Sequence, residues 1–264
     1  MIKRARQEIR QTTQRLLLLP QLVGSVRNWP TVLGARIGLT KSAVIRFRDG
    51  SVWHLLDVRS GLATLRDVYL ERVYDTRFKL DRKGTILDLG ANIGLFTVLA
   101  AKSLVPEGRV VAVEPNPCVA EVLKRNLKEN SLTNVELIEA AAFTEDGEAR
   151  LQLASHSLGA TIIVRDVAAV TLVVPTISLS TLVNRIGTID LLKVDIEGAE
   201  WSIFLDSQPD TWKDIKRIAM EFHLDAAGAR TLSELTRHLS HVGYSNIQIH
   251  HPPGPYGYLW AEAI

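Results

Sequence analysis

One stretch constrains this chain more than any other: TILDLGANIG, residues 85–94. Thr85 to Leu89 is a short apolar run carrying an acidic residue, Asp88, near its end. Gly90 and Gly94 follow, and then a second apolar run from Leu95 to Ala101. Strand, tight turn and helix is the order this predicts, the opening unit of a nucleotide-binding α/β sheet. Gly90 admits a turn conformation closed to residues with a Cβ, and Gly94 is expected to let helix and ligand approach the strand end. Arg109 to Val113 reads as the next strand, and Glu114 follows it, 24 positions after Gly90. A carboxylate there is placed to accept both hydroxyls of a ribose.

The pattern discriminates between nucleotides. A dinucleotide fingerprint asks for glycines at 90, 92 and 95, and the chain has Asn92 and Leu95. Asp88 just before the turn would repel a pyrophosphate. S-adenosylmethionine (SAM) has no phosphate and carries a sulfonium and an ammonium, so the same carboxylate favours it. Two glycines alone would suit any βα turn; the spaced Asp88 and Glu114 make SAM the better reading.

At 264 residues the chain has room for one large α/β domain with an appendage. A formal net charge of +2 is too small to argue for nucleic acid or an acidic membrane. Cys118 is the single cysteine, which excludes an intrachain disulfide and any zinc-type cysteine spacing. It fits a reducing compartment, so a cytoplasmic location is expected. Near the amino terminus, basic residues precede Leu16 to Leu19, but Pro20 interrupts that run, no small-residue cleavage pattern follows, and it is too short to span a bilayer. Ile2, Ile9 and Leu16 recur every seven residues, which predicts an amphipathic helix docked on the domain. The alternative is a weak contact with a membrane surface.

Asp49-Gly50 between Ala43–Arg48 and Ser51–Asp57 is a two-residue hairpin signal. Thr64 to Tyr74 has helical spacing, so residues 1–80 read as a helix, hairpin and helix capping a main domain at 81–264. From Gly84 strands and helices alternate. Asn116-Pro117 starts a helix, and Val135 to Ala140 is the third strand. Residues 149–175 are β-rich, an insertion at the sheet edge. Ile189 to Val194, Ile215 to Phe222, Tyr244 to Ile249 and Tyr258 to Ala263 complete the sheet. The last two are joined by HHPPGPYG, too short for a crossover helix, so they should pair antiparallel and leave a mixed sheet with its last strand reversed.

Chemistry-bearing residues collect where two of these strands end. After Val194 the chain reads Asp195-Ile196-Glu197-Gly198-Ala199-Glu200, and the next strand ends Glu221-Phe222-His223. Ligands on open α/β sheets bind beyond the carboxyl ends of strands. Glu200 in the first turn of a helix is explained by the helix dipole. Asp195 is not so explained, and Glu221 and His223 share a strand face. Asp195 and His223 are the candidate bases, with Glu197 and Glu221 orienting the histidine. A divalent cation held by the carboxylates is the lesser option, and no metal is expected. His238 and His241 read as surface, His250 and His251 as loop, and Trp201 and Trp212 as core.

The set ILDLGANIGLFTVLAA, VVAVEPNP, LLKVDIEGAE and the strand ending MEFH resembles the FkbM family of SAM-dependent methyltransferases over residues 64–264. That resemblance implies an α/β, Rossmann-like class I methyltransferase fold with a seven-stranded mixed sheet. It implies methyl transfer to a hydroxyl of a sugar, glycolipid or polyketide-type product, hence a small-molecule or glycan acceptor. By position, Asp88, Gly90, Ala91, Asn92 and Gly94 would hold the methionine end of SAM. Glu114 would hold the ribose, Asn116 would also line the cofactor site, Ala141 and Ala142 would lie at the adenine edge, and Asp195 near the transferring methyl. A Rossmann-type NAD(P)-dependent oxidoreductase is the weaker alternative, and a non-catalytic scaffold or sensor of the same fold is a third.

Overall fold

The computed structural model describes residues 23–39, 44–56, 82–153, 160–161, 171–224, 231–251 and 256–264, with 61, 64–65, 68–69, 72–74, 77–78 and 254. The expected first helix lies outside them; of the expected helix at 64–74, residues 64–65 and 68–69 are helical, and 72–74 have left the helix, with Arg72 left-handed at φ 50°.

The central strands are continuous apolar runs because both of their faces are covered, as parallel strands require. β3 (Thr85–Leu89), β4 (Arg109–Val113) and β10 (Leu191–Val194) are buried almost throughout. Successive side chains alternate across the sheet. Leu87 and Leu89 join one apolar cluster with Leu182, Phe204 and Leu239. Ile86 joins another with Val98, Ala101 and Trp53. The first cluster brings in α4 (Leu179–Ile186), α5 (Glu200–Asp206) and α6 (Leu232–His241). The second brings in α2 (Leu95–Leu104) and α3 (Pro117–Glu129). Asn116 caps α3 as expected, accepting the Cys118 N–H, with Pro117 in the first turn.

The seven-stranded sheet has the order β12-β13-β11-β10-β3-β4-β5, with β5 at Val135–Ile138, β11 at Arg217–His223, β12 at Gln248–His250 and β13 at Tyr256–Glu262. β13 runs antiparallel to β11 and to β12, which is the predicted reversal of the last strand. The chain steps outward from β3 to β4 and β5, then returns on the other side of β3 as β10. The switch point therefore lies between the carboxyl ends of β3 and β10.

β10 and β11 begin two residues later than expected, at Leu191 and Arg217, and two other expected strands are shorter. The third ends at Ile138, whose carbonyl accepts the Glu114 N–H. The chain then turns and enters a separate four-stranded sheet, β6-β9-β7-β8, as β6 (Ala141–Phe143). The β-rich insertion is that sheet, built on β7 (Gly147–Leu153) and β9 (Thr171–Ser178) with the short β8 (Ala160–Thr161). The strand expected from Tyr244 pairs in the ladder only from Gln248. Tyr244 makes an isolated bridge with Ala263 while its buried phenol donates to the Ile215 carbonyl at 2.8 Å.

The hairpin forms at the expected place, β1 (Val44–Arg46) against β2 (Val52–His54), but Arg46 pairs with Val52 and the Phe47 N–H meets the Ser51 carbonyl, so its loop is the three residues Arg48 to Gly50 where two were expected. Side-chain amides fasten it to α3. Asn126 accepts the His54 N–H at 2.7 Å and donates to the carbonyls of His54 and Ile93. Asn130 does the same for Val52. Two asparagines one helical turn apart thus stand in for a neighbouring strand.

Candidate active site

The turn after β3 is left-handed at three alternate positions: Gly90 (φ 74°), Asn92 (φ 54°) and Gly94 (φ 86°). That conformation costs an ordinary residue about 1–2 kcal/mol, nothing for glycine, and asparagine tolerates it. Asn92 can therefore stand where a dinucleotide fingerprint has glycine. A Cβ on Gly90 would lie 1.8 Å from the Asp195 carbonyl oxygen, so this turn sits directly on the end of β10. At Gly94 a Cβ would meet Leu123 at 2.0 Å. The close approach there is between the turn and α3, where ligand access was expected.

Glu114 is only 6% exposed, and its two oxygens accept the N–H groups of Asn92 and Asn116, each at 2.9 Å. Burial pushes its pKa up to about 7 against those hydrogen bonds. Ala91 lies buried beside it, its N–H on the Val113 carbonyl. Ala141 and Ala142 do not end the third strand; they pair with Thr176 and Ile177 in the second sheet.

Asp88 is fully buried and opposite Lys193 in the parallel register of β3 and β10. Lys193 Nζ lies 3.0 Å from Asp88 Oδ1 and donates to the Gly90 carbonyl at 2.7 Å, while Thr97 donates to Asp88 Oδ2 at 2.6 Å. The negative charge of Asp88 is thus matched inside the sheet. Burial pulls the lysine pKa down, but Asp88, Asp195 and Glu221 outweigh it and hold the ammonium above its ordinary value. Two opposite charges inside two apolar runs were the readable sign of this pair.

Asp195, Glu197, Glu221 and His223 do converge. Tyr74, which ends the lead-in segment, donates its phenol to Asp195 Oδ2 at 3.0 Å and also lies 3.4 Å from Glu221 Oε2. Lys193 stands 5.4 Å from the Tyr74 ring. Glu221 has its pKa pushed up to about 8, by burial first and the Asp195 charge second. Glu197 shifts upward for the same two reasons, and its backbone is left-handed at φ 56°.

His223 is oriented chiefly by Glu200. Its Nδ1 lies 3.1 Å from Glu200 Oε1, whereas Nε2 is 3.5 Å from Glu197 and 3.8 Å from Glu221. Glu200 is 1% exposed, and the same oxygen also accepts the Gly198 N–H at 3.1 Å. Burial acts to lower the His223 pKa, but Glu200, Glu197 and Asp195 more than offset it and raise it to about 9. Trp201 donates to the His223 carbonyl at 2.6 Å, which fixes the strand end. The helix-dipole account of Glu200 misses this contact; no local pattern announces it, because the partner is 23 residues away. Among the other histidines, His238 is not simply surface, since its ring packs edge-on to Trp212. No group of three or more His, Cys, Asp or Glu side chains is arranged to hold a metal ion among the described residues.

A switch-point crevice with a bare turn, a buried carboxylate ending β4 and a carboxylate–histidine cluster ending β10 and β11 defines a Rossmann-like class I methyltransferase. The methyltransferase FkbM domain matches residues 88–245. The chain belongs to the FkbM family of SAM-dependent methyltransferases. It is similar to "Methyltransferase sdnD" of Sordaria araneosa, 26% identical over 189 residues, covering 59% of this chain and 72% of that protein. "Methyltransferase 1" of Beauveria bassiana is 25% identical over 194 residues, covering 64% and 77%. The crystal structure of a methyltransferase FkbM from Methylobacillus flagellatus is 16% identical with a TM-score of 0.47, covering 78% of this chain and 52% of that one.

The residues present fit SAM. Glu114 keeps carboxylate lone pairs beyond its two backbone hydrogen bonds, which suits hydroxyl donors. Beside the turn, the ammonium of Lys193 is already paired with Asp88, and the next carboxylate is Asp195, a side chain that favours a cation over a pyrophosphate. No helix among the described residues is long and apolar enough to cross a membrane.

Proposed function

We propose that this enzyme methylates a hydroxyl oxygen of a small-molecule or glycan acceptor, of the sugar, glycolipid or polyketide type, with His223 as the general base. The observation that carries this reading is the His223–Glu200 contact. A buried carboxylate on Nδ1 fixes the tautomer and turns Nε2 toward Glu197 and Glu221 at the strand ends, an arrangement that lets histidine act as a base. When bound, SAM supplies an electrophilic methyl group on sulfur. Glu114 holds the ribose hydroxyls, with Asn92 and Asn116 keeping its carboxylate in place. Gly90 and Asn92 present backbone to the amino-acid end. Asp195, steadied by Tyr74, faces the cationic centre. Cationic charge against Asp195 would oppose one of the charges that keep the imidazole protonated and so lower its pKa from about 9. Glu221, held neutral up to about pH 8, donates a hydrogen bond to the acceptor. Placement of the acceptor supplies the larger part of the acceleration, and the base adds roughly 10²–10⁴-fold.

Turnover of methyl-labelled SAM with a pool of glycans and hydroxylated metabolites tests the reading. His223→Ala and Asp195→Asn should each lower turnover at saturating SAM by more than about tenfold, and EDTA should leave it unchanged. Near-normal turnover in both variants would place the chemistry elsewhere, and loss with EDTA would reassign the carboxylates to a metal.

A further inference from the structure

The charge of this chain is divided unevenly. Residues 1–48 contain ten Lys and Arg against one acidic residue, Glu8, a formal +9, whereas the whole chain carries +2. The remainder is therefore net −7, and the small total conceals a strongly basic amino-terminal part.

The described residues show where part of that charge stands. Ser25 to Arg27 runs antiparallel beside Arg46 to Arg48: the Arg27 N–H meets the Arg46 carbonyl at 2.6 Å and the Arg48 N–H meets the Ser25 carbonyl at 2.8 Å. Val26 and Phe47 form the bridge between them and point inward, both buried. Alternation then sends Arg27, Arg46 and Arg48 outward, and all three are exposed. None of the three has a carboxylate partner among the described residues. The neighbouring carboxylate that would counter them, Asp49, is engaged by the Tyr69 hydroxyl and the Ser51 N–H. Helix α1 (Trp29–Arg36) leaves directly from Arg27-Asn28. Two bare aliphatic side chains follow it, Ile37 at 64% and Leu39 at 76% exposure.

We propose that the basic edge of the amino-terminal hairpin, with the exposed aliphatic segment that follows α1, docks on an anionic lipid bilayer. Exposed guanidiniums pair with phosphate and carboxylate headgroups, and exposed aliphatic side chains enter the acyl boundary; a peripheral membrane surface needs both. Single-stranded nucleic acid would want exposed aromatic side chains to stack its bases, and here the aromatic residues of the hairpin, Trp53 and Phe47, are buried. Lys3, Arg4, Arg6, Arg10 and Arg15, with Leu16 to Leu19, extend the same basic-and-aliphatic composition upstream. The inference is independent of the identity of the acceptor.

Vesicle co-flotation of the full chain tests it, using phosphatidylcholine vesicles with and without phosphatidylglycerol. Binding should require the anionic lipid and fall steeply with added salt. The triple variant Arg27→Gln, Arg46→Gln, Arg48→Gln should lower the partition coefficient roughly a hundredfold, and Ile37→Ser with Leu39→Ser should lower it independently. Thermal stabilisation by SAM, unchanged in both variants, shows that they are folded. Binding that ignores lipid charge, or that survives the triple substitution, overturns the assignment to this face. Retention on RNA or duplex DNA in preference to anionic vesicles overturns it in favour of a nucleic-acid surface.

Discussion

Glu200 alters the reading of every residue near it. Its carboxylate is buried against His223 Nδ1, so the imidazolium is favoured and its pKa rises to about 9. Glu200→Gln keeps the shape and removes the charge. The pH–rate profile should then move to lower pH, kcat should fall, and the KM for SAM should hold. An unmoved profile would show that Glu200 is only a packing residue. The sequence disclosed Asp195, Glu221 and His223 because they end strands, where ligands bind on such sheets. It disclosed neither Glu200 nor Tyr74, because their partners lie 23 and 121 residues away and no local pattern encodes such a contact. Lys193 was readable in principle as a cation inside an apolar strand, one register position across from Asp88.

Among the elements, the turn after β3 and the hairpin are joined by one side chain. Asn126 is fully buried and holds the His54 backbone on one side and the Ile93 carbonyl on the other. Asn126→Ala would strand those groups, so urea unfolding should show a loss of about 2 kcal/mol or more. A loss under about 0.5 kcal/mol would mean the hairpin is held by apolar packing alone. Gly90→Ala should fail differently. Its Cβ would meet the Asp195 carbonyl at 1.8 Å, so the turn and the end of β10 must separate, and SAM binding should be lost. Normal SAM affinity in that variant would exclude the turn from the cofactor site. The strand–turn–helix order and the hairpin were legible from glycine placement and period. The boundary of β5 was not, because it depends on which sheet Ala141 joins, a tertiary choice.

At the scale of the molecule, charge and pH are coupled through the site. Glu114, Glu221 and His223 have pKa values raised to about 7, 8 and 9 from ordinary values of 4.5, 4.5 and 6.5. A raised pKa contributes stability that is complete below the unfolded value and is lost as pH climbs through the folded one. All three therefore act in the same direction. The melting temperature of the ligand-free protein should fall as pH rises from about 6 to 9, and the stabilisation by SAM should grow over that range, since the carboxylates that ionise favour a cation. A ligand-free melting temperature that climbs steadily across that window would contradict these shifts. On the proposed mechanism the site has a cofactor half at Glu114 and a reacting half at His223. Calorimetric titration of SAM into the wild type, Glu114→Ala and His223→Ala tests it directly. Glu114→Ala should lose about 1.5–3 kcal/mol of SAM binding, while His223→Ala binds as the wild type does. Undiminished affinity in a folded Glu114→Ala protein would contradict the account.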